Sequence, residues 1–315
     1  MNWKDKRVLV AGRAGMDLYA DPVGTSIETA KKFISQLGGS AANIAAGLSA
    51  QEVKVDLLSG ISNDAIGAFV KNSCRRLGIG TELLKVIPKV RNTLAIVDTM
   101  GDSTQAIIYR NSPADLFLEQ EVIDNIDLNS YEMIVTTGTA LTKDPSRSTI
   151  LELMKSAKSK DLEIIFDIDY RELTWSNKQE AEDILLQAAG YADIVIGNEL
   201  EFNFMSKTTS GGKSLAAQLS DSGRKISIYK MGSKGLYYFC NGEEKFVKSF
   251  RVNAIKPTGA GDGFLAGFCA SKMNDLPLKE AILFGSATGA IVVTKVGCSD
   301  AMPNKEQVED FLNIV

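Results

Sequence analysis

Short apolar runs alternate with amphipathic stretches through much of the chain. Four runs predict buried strands: Val8–Gly12, Ile134–Gly138, Ile164–Asp167 and Ile194–Asn198. Segments between them, such as Ser146–Lys158 and Gln179–Gly190, carry apolar residues at helical spacing. Strands that alternate with helices are typical of an α/β protein with a parallel sheet. Ligands of such proteins bind beyond the carboxyl ends of the strands.

Two stretches, at about residues 17–36 and 92–118, break this alternation. In the second stretch, the runs Thr93–Val97 and Gln105–Tyr109 flank Met100–Ser103, which predicts a β-hairpin. A hairpin paired with strands from the first stretch would form a small sheet and act as a lid over a site. A dimerisation flap or a decoration would give the same pattern. We therefore expect one domain over residues 1–315 with this insert.

Composition narrows the class of protein. The chain has 315 residues, 44% of them hydrophobic, and a net charge of −4 without clustered Lys or Arg, which argues against a nucleic-acid partner. The sequence has no apolar run near the roughly 18 residues of a membrane span. Its first seven residues lack the apolar core of a signal peptide. We expect a cytoplasmic protein that acts on small molecules.

The content of histidine and cysteine narrows the chemistry further. The sequence contains no histidine, which excludes His-based zinc sites and nucleophiles activated by histidine. The four cysteines lie far apart without a C-x-x-C pair, which argues against a structural zinc site or a disulfide framework. A carboxylate must therefore carry any acid–base catalysis.

The segment Lys256–Phe264 places one acid, Asp262, among three glycines directly before an apolar run. The run predicts a buried helix, whose first N–H groups and dipole would stabilise a developing negative charge. Asp262 beside these groups could take a proton from a hydroxyl, the combination that phosphoryl transfer to an alcohol requires. A helix start in which Asp262 only caps backbone amides fits the same residues.

Two segments near the start of the chain could bind a polyol. Gly38 and Gly39 precede a helix of small residues, and Asn43 offers a donor and an acceptor for sugar hydroxyls. A tightly packed helix entry capped by Ser40 is the alternative. Asp17 lies just beyond the first predicted strand, where its carboxylate could accept hydrogen bonds from hydroxyls.

Two later segments leave their alternatives open. Asn198–Glu201 follows a predicted strand, where its amide and carboxylates could hold a metal–nucleotide complex through water. A helix N-cap with acids in the first turn explains these residues equally well. Lys230–Gly235 lies between two β-like runs and fits either an ordinary hairpin turn or a turn that contacts phosphate.

The order of the motifs GGSAAN, NELE, KMGSKG and TGAGD resembles that of the PfkB/ribokinase family of carbohydrate kinases, over nearly the whole chain. The resemblance implies a three-layer ribokinase-like α/β fold, with a mostly parallel central sheet, helices on both faces and a small β-sheet lid. It also implies ATP as the phosphoryl donor, Mg²⁺, a sugar hydroxyl as the acceptor, and a homodimer through the lid.

The resemblance assigns roles to individual positions of this chain. Asp262 matches the general base, and Gly259, Ala260 and Gly261 match the anion hole. The positions that match sugar-binding residues are Asp17, Gly38, Gly39 and Asn43. The positions that match the metal and nucleotide side are Asn198, Glu201, Lys230, Gly232 and Gly235, with Glu201 reaching the metal through water.

One departure from the family lies just before the anion hole. Most members carry Asp-Thr where this chain has Lys256 and Pro257, and that aspartate helps to bind an activating monovalent cation. A lysine cannot ligate potassium. We expect either that the Lys256 ammonium takes the place of the cation or that the cation site is lost. In both cases, the activity would not depend on potassium.

Three arginines are candidates to select a sugar with a carboxylate, because guanidinium groups bind carboxylates through two parallel hydrogen bonds. Arg110 follows the second strand of the predicted hairpin, so it would hang from the lid. Arg171 lies just past a sheet strand, and Arg13 follows the first strand. Each could instead be a surface salt-bridge partner.

Together with Gly12–Tyr19, Trp175 and the Lys-Pro pair, these arginines resemble the branch of the family that serves inositol breakdown. That resemblance implies phosphorylation of the 6-hydroxyl of 5-dehydro-2-deoxygluconate. A 2-keto-3-deoxygluconate kinase and a neutral-sugar kinase of the fructokinase or ribokinase type are the alternatives. A sugar- or nucleotide-binding regulator without transfer activity is a third.

Overall fold

The computed structural model describes residues 7–221 and 225–314. Its contacts divide the chain into two compact units, Met1–Phe117 with Phe250–Val315 and Leu118–Ser249. The expectation that the chain forms a single domain with an inserted lid stays a prediction. The expectation of no signal-peptide core rests mainly on residues 1–6, which lie outside the described residues.

The strands of both units follow the apolar runs of the sequence. Those of the first unit are β1 (Arg7–Ala11), β2 (Gly15–Asp21), β3 (Lys32–Gly38), β4 (Lys54–Ser62), β5 (Leu84–Ile87), β6 (Thr93–Val97) and β7 (Ala106–Tyr109). Those of the second unit are β8 (Met133–Thr137), β9 (Glu163–Asp167), β10 (Ile194–Asn198), β11 (Ile226–Lys230), β12 (Leu236–Cys240) and β13 (Glu243–Val247). The four predicted buried strands are thereby confirmed as β1, β8, β9 and β10.

The helices lie between these strands and at the end of the chain. Those of the first unit are α1 (Ser40–Ala50) and α2 (Ala65–Arg76), and after the second unit α8 (Ala260–Met273), α9 (Leu278–Val292) and α10 (Lys305–Ile314). Those of the second unit are α3 (Glu121–Asp124), α4 (Ser146–Lys158), α5 (Lys178–Tyr191), α6 (Glu199–Met205) and α7 (Gly212–Ser220). The helices predicted at 146–158 and 179–190 are confirmed as α4 and α5. Among the helices of the described ranges, none is long and apolar enough to cross a membrane.

Most neighbouring strands within each unit pair in parallel. In the first unit, β4 pairs in parallel with β1 and β5. In the second unit, β8, β9, β10 and β11 pair in parallel in that order, and β12 and β13 add antiparallel strands at one edge. The central strands are buried on both faces, as Leu9 and Ile165 illustrate with side chains that are fully inaccessible.

A separate sheet of order β3-β2-β6-β7 forms within the first unit. The predicted hairpin is confirmed, since β6 and β7 pair antiparallel with Leu94 opposite Tyr109. Its partners are β2 and β3, as expected from the stretch at 17–36. Ile34 and Ile107 lie on this sheet with about half of their surface exposed (45% each). The roles of this sheet as a lid and as a dimer contact stay predictions.

A buried ion pair fixes the segment that follows β7. The two Nη atoms of Arg110 contact the two carboxylate oxygens of Asp115 at 2.9 and 2.7 Å, and both side chains are almost completely buried. Arg110 also donates to the hydroxyl of Thr93 at the start of β6, at 3.0 Å. The guanidinium therefore ties the end of the hairpin to its beginning.

We expect Arg110→Ala to lower the free energy of unfolding by about 3–5 kcal/mol, because the Asp115 carboxylate would stay buried without its cation. Chemical denaturation of the purified protein measures this loss. The matched control is Arg91→Ala, which removes an exposed arginine from Asp64 and is expected to cost less than about 1 kcal/mol. Equal losses in the two variants would contradict the structural role of the buried pair.

Candidate active site

The start of α8 presents backbone amides around a carboxylate. Gly259 is the N-cap residue, and among the described residues no side chain caps this helix. The first N–H groups of a helix have no acceptor within the helix, and the helix dipole adds partial positive charge at the same place. Asp262 lies in this first turn, beside Ala260 and Gly261. The predicted anion hole and base are thus adjacent on one uncapped helix start.

Glycine is required at the turn before this helix. Gly259 has a φ of 86°, which lies in the left-handed region, and a Cβ atom there would be 2.7 Å from the Cys298 sulfur. The helix itself lies very close to α9, since a Cβ atom on Gly289 would be 2.7 Å from the Ala260 carbonyl oxygen. Backbone geometry and close packing therefore both fix the position of the helix start.

Asn43 orients the carboxylate of Asp262. The side-chain Nδ2 of Asn43 donates to Asp262 Oδ2 at 2.8 Å, and Asn43 is almost fully buried in the first turns of α1. The Asn43 Oδ1 atom is buried without a hydrogen-bond partner among the described residues. The N-cap of α1 is Gly39, with a φ of 99°, and not Ser40. Asn43 thus holds the predicted base and leaves one acceptor for a ligand hydroxyl.

Asp17 lies on β2 against the end of β3. It is 91% buried, and a Cβ atom on Gly38 would collide with its carboxylate, so Gly38 makes room for a side chain of the protein. Burial raises the pKa of Asp17, while the positive charges of Arg13 and Lys256 and a hydrogen bond from Tyr19 oppose the rise. The Asp17 carboxylate therefore interacts electrostatically with Arg13 and Lys256.

Lys256 is buried beside the start of α8. Its ammonium donates to the Thr258 carbonyl oxygen at 2.5 Å and lies 3.9 Å from the Cys298 sulfur, and only 2% of the residue is exposed. Burial lowers the pKa of Lys256, whereas Cys298, Asp262 and Asp17 act in the opposite direction. The ammonium therefore interacts electrostatically with the carboxylates of Asp17 and Asp262.

Asn198 and Glu201 form a reciprocal helix cap in the second unit. Asn198 Oδ1 accepts from the Glu201 amide at 3.0 Å, and Glu201 Oε2 accepts from the Asn198 amide at 2.7 Å. The structural alternative for NELE is therefore realised in the fold. Burial raises the pKa of Glu201 to about 7, and the nearby Asp167 carboxylate adds to the rise.

Lys230 and Asp167 lie at the carboxyl ends of β11 and β9, two strands of the same sheet. The Lys230 ammonium is 3.7 Å from Asp167 Oδ1, an oxygen that is buried without a hydrogen bond among the described residues. Burial raises the pKa of Asp167, and Lys230 opposes the rise. Desolvated acidic groups of this kind favour a cation, so these residues fit the hydrated Mg²⁺ that the resemblance implies. Within residues 7–221 and 225–314, no cluster of three potential ligands could hold a metal ion directly.

Lys230–Gly235 forms a hairpin turn between β11 and β12. The Met231 amide donates to the Gly235 carbonyl, and Gly232 and Gly235 have φ values of 58° and 117°. The two strands pair antiparallel on either side. The hairpin alternative is therefore present, and a phosphate contact by the same turn stays a prediction.

The three candidate arginines lie in different environments. Arg110 is bound to Asp115, and Arg171 donates to Asp169 from a side chain that is 56% exposed. Arg13 is 92% buried, and its Nε has no hydrogen-bond partner among the described residues. Their roles toward a sugar carboxylate stay predictions, but Arg13 differs from the other two in that it makes no ion pair or side-chain hydrogen bond among the described residues.

Sequence reasoning missed three residues near these groups. Tyr19 donates to Asp17 Oδ2 at 3.2 Å and lies 3.3 Å from the Cys298 sulfur. Burial raises the pKa of Cys298 to about 11. No local pattern marks Tyr19 or Cys298, which are 279 positions apart. Asp167, in contrast, ends a predicted strand, and the rule that ligands bind beyond strand ends could have identified it.

Comparisons with known proteins identify the family of this chain. The pfkB family carbohydrate kinase model matches residues 5–305. The 5-dehydro-2-deoxygluconokinase of Photobacterium profundum is 34% identical to this chain over 310 residues, which cover 96% of this chain and 94% of the relative. The protein of the same name from Geobacillus kaustophilus is 32% identical, with 96% and 92% covered.

Solved structures confirm the predicted ribokinase-like α/β fold. A fructokinase double mutant from Vibrio cholerae, with fructose, ADP and a potassium ion bound, has a TM-score of 0.86 and 25% identity, and 98% of each chain is covered. A putative ribokinase II from E. coli has a TM-score of 0.88 and 22% identity, with 98% of this chain and 100% of that chain covered. The chain therefore belongs to the pfkB family of carbohydrate kinases and is an ATP-dependent sugar kinase.

Proposed function

We propose that this kinase transfers the γ-phosphoryl group of ATP to the 6-hydroxyl of 5-dehydro-2-deoxygluconate, with Asp262 as the general base. The observation that carries the mechanism is the hydrogen bond from Asn43 to Asp262 at an uncapped helix start. The names of the relatives from Photobacterium profundum and Geobacillus kaustophilus support the substrate.

Each group of the first unit has a role in the proposed reaction. Asp262 takes the proton of the sugar hydroxyl. The hydroxyl oxygen then bonds to the γ-phosphorus, while the bond between the γ-phosphorus and the leaving ADP breaks. The backbone amides of Gly259, Ala260 and Gly261 stabilise the negative charge that develops on the phosphoryl oxygens. Asp17 and the free oxygen of Asn43 hold other hydroxyls of the sugar, with Gly38 and Gly39 beside them.

We assign the second unit to the nucleotide side of the reaction. Mg²⁺ bound with ATP would neutralise phosphate charge, and Glu201 would hold its water shell together with Asp167. Asn198 positions Glu201 through the reciprocal cap. Lys230, Gly232 and Gly235 would contact the nucleotide from the hairpin turn.

Asp262→Asn is expected to lower kcat by about 10²- to 10⁴-fold, the range that a general base contributes, and to leave the KM for ATP within about twofold of its original value. Steady-state kinetics measure both constants. Asp310→Asn, on the exposed surface of α10, is the matched control and should keep full activity. A variant at Asp262 that retains most of its kcat would exclude this residue as the base.

The substrate is tested by an ADP-release assay with a panel of sugars. We expect the highest kcat/KM with 5-dehydro-2-deoxygluconate, because its carboxylate can meet a guanidinium that neutral sugars leave unpaired. The panel also contains 2-keto-3-deoxygluconate, D-fructose and D-ribose, which represent the alternative kinases. Highest activity with one of these would replace the proposed substrate. If the protein releases ADP with none of the sugars in the panel, that result would favour a non-catalytic regulator.

We further propose that the Lys256 ammonium replaces a bound monovalent cation. Its Nζ atom is held by the Thr258 carbonyl directly before the anion hole, and the residue is 98% buried. A fixed ammonium supplies one positive charge near the Asp262 carboxylate, as a monovalent cation would. The fructokinase from Vibrio cholerae, by comparison, was solved with a potassium ion bound.

The rate should consequently be the same in potassium chloride and in tetramethylammonium chloride at equal ionic strength. Lys256→Asp removes the fixed charge and adds a carboxylate, so that variant is expected to lose activity in tetramethylammonium and regain part of it in potassium. Initial rates at saturating ATP and sugar provide the measurement. Strong activation of the unaltered enzyme by potassium would contradict the replacement.

A further inference from the structure

Arg13 is a buried cation with an unpartnered nitrogen. The residue is 92% buried, and its Nε atom is inaccessible and makes no hydrogen bond within the part of the chain that is described. Arg13 lies in the loop between β1 and β2, four positions before Asp17, and the two charges interact. The next residue, Ala14, is fully buried, so this loop is packed into the unit.

An arrangement of this kind is costly in the absence of a ligand. Burial of the Arg13 Nε–H without an acceptor removes its hydrogen bond to water. Buried cations in proteins are normally paired with a carboxylate or hydrogen-bonded to several acceptors. The Arg13 guanidinium therefore has the chemistry of a binding group for an anion with two oxygens in one plane.

The other two candidate arginines are occupied. Arg110 has both terminal nitrogens on Asp115, within 2.7–2.9 Å, and both side chains are buried. The Arg171 guanidinium contacts Asp169, and its side chain is more than half exposed. Binding of a substrate carboxylate by either residue would have to displace an existing partner. Arg13 requires no such displacement.

Backbone contacts place Arg13 near the base. The Arg13 carbonyl accepts a hydrogen bond from the Ala42 amide in the first turn of α1 at 3.3 Å, and the next residue, Asn43, donates to Asp262 at 2.8 Å. Asp17 also interacts with the charge of Arg13. A sugar acid such as 5-dehydro-2-deoxygluconate carries its carboxylate and its 6-hydroxyl on one carbon chain, so the groups that bind them must both line the same sugar site.

We infer that Arg13 is the residue that binds the substrate carboxylate and selects acid sugars over neutral ones. This inference rests on the proposed function. A phosphate group has oxygens of similar geometry, so a phosphorylated sugar is the other source of an anion for the same guanidinium. The proposed substrate assigns the position to a carboxylate, and the test below separates the two.

The test compares Arg13→Gln and Arg13→Lys with the unaltered enzyme on 5-dehydro-2-deoxygluconate, D-fructose and D-fructose 1-phosphate. We expect Arg13→Gln to raise the KM for the acid by about 10- to 100-fold, the loss of a charge-assisted pair, and to change the KM for fructose less than about threefold. Arg13→Lys keeps the positive charge but lacks the planar guanidinium. Its KM for the acid should lie between those of the unaltered enzyme and Arg13→Gln. Arg76→Gln, an exposed arginine on α2, is the matched control.

Thermal unfolding separates substrate binding from a structural role. Without ligand, Arg13→Gln should unfold at nearly the same temperature, because removal of the unpartnered buried Nε–H offsets the lost attraction to Asp17. D-Gluconate should raise the unfolding temperature of the unaltered protein more than D-glucitol does, and this difference should vanish in Arg13→Gln. A large loss of stability without ligand would assign Arg13 a structural role and overturn the inference.

The outcomes also distinguish this inference from the proposed function. Turnover of the acid sugar with an unchanged KM in Arg13→Gln would overturn the inference alone. Preferred turnover of D-fructose 1-phosphate would overturn the carboxylate assignment and the proposed substrate together. A gluconate shift that depends on Arg13, in an enzyme that does not phosphorylate 5-dehydro-2-deoxygluconate, would support Arg13 and exclude the substrate.

Discussion

The close approach of α8 to α9 is the constraint on which the candidate site depends. Helices whose side chains separate their axes could not come this near, but glycines at 263, 267, 285 and 289 remove the side chains at the contact. At Gly285, even a methyl group would be 2.7 Å from the Phe264 carbonyl oxygen. This contact fixes the first turn of α8, and with it the amides and the carboxylate of that turn.

The same contact explains why charged groups can be buried here. A rigid helix start offers oriented N–H groups, and neighbouring carboxylates then need few other partners. The charge of Lys256 interacts with the carboxylates of Asp17 and Asp262, and Asn43 is the neutral residue that donates to the base. Change at one of these groups therefore alters the electrostatics of all of them, and the site acts as a unit.

Sequence predicted the elements better than it predicted the contacts between them. The apolar runs of β1, β8, β9 and β10 predicted their strands correctly, because buried parallel strands require continuous apolar residues. Gly259, directly before α8, likewise predicted the turn that precedes the helix. In contrast, Asp115 gave no sign that it would bind Arg110, because an ion pair between a strand end and a loop follows no periodic pattern. The contact of Tyr19 with Cys298 depends likewise on tertiary packing alone.

The choice of sugar depends on side chains that the backbone does not reveal. A fructokinase has a TM-score of 0.86 to this chain and was solved with fructose, a neutral sugar, so nearly the same fold accommodates a ligand without a carboxylate. An acid sugar adds one negative charge to a region that already contains Asp17 and Asp262. Lys256 is held by a backbone carbonyl and senses both of these carboxylates. A second cation is therefore required to offset the substrate, and Arg13 is a buried cation of this unit whose Nε atom has no hydrogen-bond partner among the described residues.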